Sequence, residues 1–299
     1  MTERLTVRVA IAQWIEYRCK LRELSLVAGS TLANQTQIAV MLGKELGDHK
    51  LDQLRKSHIE LWMGARLQTC SPVTVRGEMN VLRQVLRWCV DENFLTVAPR
   101  MPKLSVPATE DALPSDEAFL WVLANVPQQH AAALEFMMLT GLSPHELERV
   151  QVRDARRQPY SRDYELGIGQ REDFAVKQPS RRRWVPLNGR AAAIWFVVSA
   201  GRWETHQPFP TVAAMQKAIR RRVDTPAAPW HLTNGVPGGL DAITPKLMRK
   251  WFASKVAGQQ PEHVLQRLMG HAPGSPITRK HYVRSSDDQV TSAVAGVRL

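Results

Sequence analysis

Leu268-Met269-Gly270-His271-Ala272-Pro273-Gly274-Ser275-Pro276-Ile277-Thr278-Arg279-Lys280-His281-Tyr282 is the stretch that decides how this chain is read. Val264, Leu265 and Leu268 precede it at helical spacing, and a glycine closes the run. A helix therefore ends at Gly270, with His271 just past its C-terminus. A histidine there either caps the last carbonyls or projects into a site as a hydrogen-bond donor. Tyr282 follows a basic tripeptide eleven residues beyond His271. A lone tyrosine is usually packing. Its phenol, with a pKa of about 10, is barely ionised at neutral pH, so a nucleophilic tyrosine needs cations beside it.

Three upstream stretches supply cations or the frame for them. In Thr244-Pro245-Lys246-Leu247-Met248-Arg249, Thr244 can cap a helix with Pro245 at its first position. Lys246 and Arg249 then share a face. Cations at a helix N-terminus oppose its dipole, a cost that a bound anion such as phosphate offsets. In Phe174-Ala175-Val176-Lys177-Gln178-Pro179-Ser180-Arg181-Arg182-Arg183, strands are expected over 173–176 and 183–187. Gln178-Pro179-Ser180 reads as the turn of a basic hairpin, which suits a phosphate backbone or a groove. In Leu139-Thr140-Gly141-Leu142-Ser143-Pro144-His145-Glu146-Leu147, one helix stops at glycine and the next restarts at Ser-Pro with an acid. A tyrosine, several cations and a histidine are what attack on a phosphodiester requires. The tyrosine forms a covalent intermediate, the cations stabilise developing negative charge, and a Lys or His supplies the leaving oxygen's proton. No metal-ligand set is visible, so no cofactor is expected.

Bulk composition points the same way. The chain of 299 residues has 40 Lys and Arg against 28 Asp and Glu, a formal net charge of +12. That surplus favours a polyanionic partner. With 44% hydrophobic and 23% charged residues the composition is that of a soluble globular protein. Cys19, Cys70 and Cys89 fit no disulfide or metal pattern, which suits a reducing cytoplasm, and Cys89 reads as a buried inert thiol. There is no signal-peptide core and no span long enough for a membrane.

Helices are expected over 7–20, 32–46, 52–68 and 73–92, the last capped by Ser71 with Pro72 following. The proline-containing stretch before Leu113 reads as a linker. Beyond it, helices are expected at 115–125, 128–140, 191–198, 211–223, 244–256 and 261–269, with a further strand at 165–168.

The order and spacing of these stretches resemble the tyrosine recombinase (phage integrase) family over nearly the whole chain. Residues 1–100 resemble its helical, SAM-like core-binding domain, including the Ser71-Pro72-Val73-Thr74-Val75 helix start. Residues 101–112 fall at the linker, and 113–299 resemble the catalytic domain. The resemblance implies a mainly α fold with a small antiparallel β-sheet in the C-terminal domain, arranged as a C-shaped two-domain DNA clamp. It also implies roles. Tyr282 is the nucleophile that joins the DNA 3′ phosphate. Lys177 protonates the leaving 5′ oxygen. Arg249 binds the scissile phosphate, Lys246 stands where most members have His, and His271 matches the Leu-Gly-His motif. The candidate DNA contacts are Arg181, Arg182, Arg183, Lys250, Arg279, Lys280, Arg76 and Arg83.

Two departures matter. Ser143 stands where Thr-Gly-Leu-Arg-x-x-Glu-Leu has the first catalytic arginine. Losing that charge costs about 3 kcal/mol, some hundred-fold in rate. The His271–Tyr282 interval, through Pro273-Gly274-Ser275-Pro276, is also longer than usual. Three readings stay open. The enzyme is active and Arg149, Arg153 or Lys246 covers the gap; or it is an impaired homologue assisting an active partner; or it is a DNA-binding regulator that keeps only the fold. The joint presence of Lys177, Arg249, His271 and Tyr282 favours the first. The expected partners are double-stranded DNA, sister subunits in a tetramer on synapsed sites, and a companion recombinase or directionality factor, at the cytoplasmic nucleoid and not at a membrane. The tail 285–299 is expected to pack on a neighbouring subunit. No extra N-terminal arm-binding domain is seen, which points to a simple recombination site.

Overall fold

The computed structural model describes residues 5–106, 113–159, 163–176, 178–225, 228–233 and 239–275. Lys177, Arg279, Lys280, Tyr282 and the tail 285–299 lie outside the described residues. The chain divides into two compact units, Met1–Thr109 and Glu110–Leu299.

The first unit is helical: α1 (Val7–Glu23), α2 (Gly29–Glu45), α3 (Lys56–Leu67) and α4 (Pro72–Asp91). The Ser71 hydroxyl accepts from the Thr74 amide at 3.3 Å and Pro72 opens α4. Both features satisfy backbone demands that a helix start always makes. Val75, Met79, Leu82, Val85, Leu86 and Cys89 recur at intervals of three and four and are buried against α1 and α2. Each large side chain of that stripe contributes about 2 kcal/mol. Burial pushes the Cys89 thiol up to about 11, so it stays protonated and inert. Arg66 on α3 forks onto buried Glu78 on α4, with N–O distances of 2.6 and 3.0 Å. Residues 101–106, expected within a linker, lie on this unit, and Met101 and Leu104 pack against its core.

The second unit is built around α6 (Gln128–Thr140), whose Ala133, Leu134, Phe136, Met137 and Met138 are all buried. A helix apolar on so much of its surface belongs at a centre. Around it pack α5 (Asp116–Asn125), α8 (Gly189–Ser199), α9 (Val212–Val223) and α11 (Pro245–Ala257). The short α7 (Pro144–Arg149), the single-turn α10 (Trp230–Thr233) and α12 (Glu262–Met269) complete the helices. A three-stranded antiparallel sheet has the order β1 (Ala155–Arg157), β2 (Tyr164–Ile168), β3 (Arg183–Leu187). Thus the described residues are mainly helical with a small antiparallel sheet.

The hairpin differs from its expected form. Residues 173–176 are not a strand: Arg149 donates to the Ala175 carbonyl at 2.6 Å and to the Asp173 carbonyl at 3.2 Å, occupying acceptors that a neighbouring strand would need. Residues 179–181 form one 3-10 turn leading into β3, and β3 pairs with β2 in register Leu166↔Val185. The third strand is β1, three residues long, too short to show a period of two.

Candidate active site

The site grows from the break between α6 and α7. Gly141 ends α6 at φ +67°, and a Cβ there would lie 2.4 Å from the Phe252 ring. Only glycine fits this left-handed, crowded position. Ser143 then restarts the chain as a helix cap. Its hydroxyl accepts from the Glu146 amide at 3.3 Å, while the Glu146 carboxylate accepts from the Ser143 amide at 2.8 Å. This reciprocal box commits the Ser143 hydroxyl to the helix start.

Glu146 does more than close the box. It is bracketed by Arg183 from β3, with Nη1–Oε1 at 3.0 Å and Nη2–Oε2 at 3.1 Å, and by Arg249 from α11, with Nη1–Oε2 at 3.1 Å. The side chains of Arg183, Glu146 and Arg249 are 5%, 6% and 8% exposed. Burial opposes ionisation of Glu146, but the charge and hydrogen bonds of Arg183, the charge of Arg249 and the Ser143 amide outweigh it. They push its carboxyl down to about 2. Breaking such a group by removing one partner costs about 3–5 kcal/mol.

Both arginines also hold the end of α12. Arg183 Nε donates to the Leu268 carbonyl at 2.8 Å, and Arg249 Nη2 donates to the Met269 carbonyl. Arg249 Nη1 reaches the Gly141 carbonyl at 2.7 Å, so the cluster ties three helix ends to one strand. Gly270, at φ +65°, caps α12, and a Cβ there would lie 2.9 Å from Arg183 Nη1 and 3.1 Å from Arg181 Cα. His271 follows against this charge. Burial and then Arg249, Arg181 and Arg183 push its pKa down to about 4, with Glu146 opposing, so the imidazole is neutral at neutral pH. Arg181 lies at the edge: its guanidinium is 3.8 Å from Glu146 and its side chain 31% exposed.

The other expected residues are placed as follows. Lys246 is exposed one turn before Arg249 and makes no contact with the cluster among the described residues. Lys250 is half-buried and Arg182 exposed. Arg183 departs from the expected solvent-facing hairpin tip, because as the first residue of β3 it points inward to Glu146. Arg149 is held by the 173–175 carbonyls, and Arg153 pairs with Gln151 at 2.9 Å and Asp173 at 3.7 Å. Arg76 and Arg83 are exposed and line a hollow in the first unit together with Lys103. Lys177, Arg279, Lys280 and Tyr282 lie outside the described residues. Glu146 is the site member that the sequence did not reveal. The signal was its place three residues after Ser143, which reads equally well as a cap alone. Among the described residues no group of His, Cys, Asp and Glu is placed to hold a metal, and no helix is long and apolar enough to cross a membrane.

Neither the protein-family models nor the curated proteins give a match to this sequence. Solved structures do. The Tn1549 transposon integrase in complex with a circular intermediate DNA superposes with a TM-score of 0.71 at 16% identity, over 97% of this chain and 99% of that one. The chain has the integrase fold. A lambda integrase tetramer bound to a Holliday junction matches with a TM-score of 0.71 at 13% identity, over 96% of this chain and 80% of that one. A lambda integrase dimer bound to a core site matches with a TM-score of 0.68 at 14% identity, over 92% and 96%. These structural relatives are tyrosine recombinases. With the integrase fold in place, the Glu146 cluster sits at the meeting point of every described stretch that the sequence singled out in the second unit.

Proposed function

We propose that this chain is a site-specific tyrosine recombinase that cuts and rejoins double-stranded DNA to integrate or excise a mobile element. The observation that carries this reading is the convergence of Arg249, Arg181, Arg183 and neutral His271 around Glu146 within the integrase fold. Tyr282 releases its phenol proton to solvent water as its oxygen bonds to phosphorus. The P–O5′ bond breaks, and the 5′ oxygen takes a proton from Lys177. Arg249 binds a non-bridging oxygen and neutral His271 donates a hydrogen bond beside it, so negative charge gathers where donors are already oriented. The 5′ hydroxyl of a second strand reverses the step and frees Tyr282. The first unit binds DNA through Arg76 and Arg83, the second through Arg182, Lys250, Arg279 and Lys280. Four subunits act on two synapsed sites at the nucleoid, and a companion recombinase or directionality factor sets the outcome. The linker at 101–112 joins a core-binding unit (1–100) to a catalytic unit (113–299).

A second reading rests on Ser143. Its neutral hydroxyl is committed to the helix cap, which suits an impaired homologue that binds DNA as an accessory or regulator. One experiment separates the two. Duplexes enriched from a random pool by retention on the protein are nicked near the centre and incubated with it, and SDS-resistant adducts are scored. An adduct lost in Tyr282→Phe establishes the recombinase chemistry. Tight binding with no adduct in the wild type, and an adduct in Ser143→Arg, establishes the accessory.

A further inference from the structure

Position 143 is serine, so the site needs a guanidinium from elsewhere if it is to bind the scissile phosphate with two arginines. The described cations differ in what they can still offer. Arg183 has little left to give. Its Nε is taken by the Leu268 carbonyl, Nη1 by Glu146 and the Arg181 carbonyl, and Nη2 by Glu146. Turning it toward a ligand would strip a buried carboxylate of its partner. Arg149 and Arg153 are engaged by the 173–175 segment and Gln151. Lys246 and Arg182 are exposed, and among the described residues neither side chain makes a polar contact with Glu146.

Arg181 alone among these combines contact with availability. Its backbone lies against Gly270: the neighbouring Ser180 hydroxyl donates to the Gly270 carbonyl at 3.4 Å, and a Cβ on Gly270 would meet Arg181 Cα at 3.1 Å. Its guanidinium approaches Glu146 Oε1 only to 3.8 Å, the same oxygen that Arg183 holds at 3.0 Å. Among the described residues its side chain makes no closer polar contact. A guanidinium carries five N–H donors in a planar fork suited to phosphate. Glu146 thus fixes one edge of the arrangement, and the Ser143 amide lies on the far side of the same carboxylate at 2.8 Å. The Arg181 charge therefore stands one carboxylate away from position 143.

We propose that Arg181 is a catalytic residue of this site, the phosphate-binding cation in the role that Ser143 cannot fill, and that Arg183 and Gly270 are the positioning residues that hold it there. The proposal rests on the recombinase reading above and deepens it. On this reading the cation is supplied from the turn before β3 and not from the start of α7, and the two positions meet at opposite oxygens of the Glu146 carboxylate.

The test uses the full chain and the enriched nicked duplex, made once with its ordinary scissile phosphate and once with a neutral methylphosphonate there. On the ordinary duplex Arg181→Ala should form adduct about 100-fold more slowly than wild type, with Arg181→Lys between them. Duplex affinity should stay within about 3-fold, since one phosphate contact among many is lost. On the methylphosphonate duplex, which has no charge to neutralise, wild type and Arg181→Ala should agree within about 3-fold. Adding Ser143→Arg to Arg181→Ala should recover about 10-fold on the ordinary duplex. Equal rates for wild type and Arg181→Ala on the ordinary duplex overturn the proposal. A deficit that persists on the methylphosphonate also overturns it, by making Arg181 structural; Arg181→Gln repeats the comparison if Arg181→Ala folds poorly. A wild-type adduct that needs Tyr282 beside a fully active Arg181→Ala removes this inference and leaves the recombinase reading standing. The absence of any wild-type adduct removes both.

Discussion

Each unit of this protein buries one glutamate against arginine, and the two pairings differ in stoichiometry. In the first, Glu78 meets Arg66, whose side chain is 21% exposed. Glu45 also comes within 4.0 Å of Arg66, so two carboxylates answer one guanidinium, and α3 is fastened to α4. In the second, Glu146 meets Arg183 and Arg249, both nearly inaccessible, with Arg181 at the rim. Among the described residues that is three guanidinium groups on one carboxylate. A cation outnumbered by carboxylates is a fastening with no positive charge to spare, whereas a carboxylate outnumbered by cations organises positive charge for something else to use. The comparison separates a structural ion pair from a site by counting, where burial alone would group them together.

The largest test of this difference is removal of each carboxylate's charge. Glu146→Gln keeps the shape but leaves two buried guanidiniums without their counter-charge, and should lower unfolding free energy by about 3–5 kcal/mol in denaturant titrations. Glu78→Gln should cost about 1–2 kcal/mol, because Arg66 can turn partly to water. Equal losses would break the comparison.

Gly270→Ala comes next. It adds strain at a positive φ and crowds Arg183 Nη1 at 2.9 Å, so about 2–3 kcal/mol should be lost in thermal unfolding. Gly274, at φ +72° with open space around it, is the control, and its alanine variant should lose about 1 kcal/mol from the backbone alone.

Acid should sharpen the contrast further. His271 is held at about 4, below its usual 6.5, so the folded state stays neutral while the unfolded chain takes up a proton. Its contribution is present above pH 6.5 and is lost as pH falls toward 4. The depressed Glu146 carboxyl acts lower, with stability present above its usual 4.5 and lost toward about 2. Stability followed against pH should therefore decline in two windows. His271→Gln should flatten the first and leave the second. The smallest effect concerns the first unit. Arg76→Ala and Arg83→Ala should each reduce the salt slope of duplex binding by about one, with little change in adduct rate.

Much of the fold was legible because its signals are local. Ser71, Ser115 and Thr211 accept hydrogen bonds from amides three residues on, and Gly141 and Gly270 take left-handed angles, all chemistry written within one turn of helix. Strand β3 was legible for the same reason. The segment 173–176 misled because the short apolar run Phe174-Ala175-Val176 looks like a strand, while its carbonyls are claimed by Arg149 from more than twenty residues away. Arg183 was harder still. Its burial depends on Glu146 and on the Leu268 carbonyl, 37 and 85 residues distant, and no window of sequence holds all three. Glu146 was visible as the acid of a capping box, but its second role needs two arginines that only the tertiary fold delivers.

The box at the start of α7 also carries an energetic consequence. A serine at 143 brings no positive charge to a phosphate, yet it caps a helix, a service worth about 1 kcal/mol that an arginine side chain does not supply. If Arg181 covers the phosphate, an arginine placed at 143 would remove the cap and add charge already supplied. The serine is then held in place by the helix start it caps, independently of any charge the site requires.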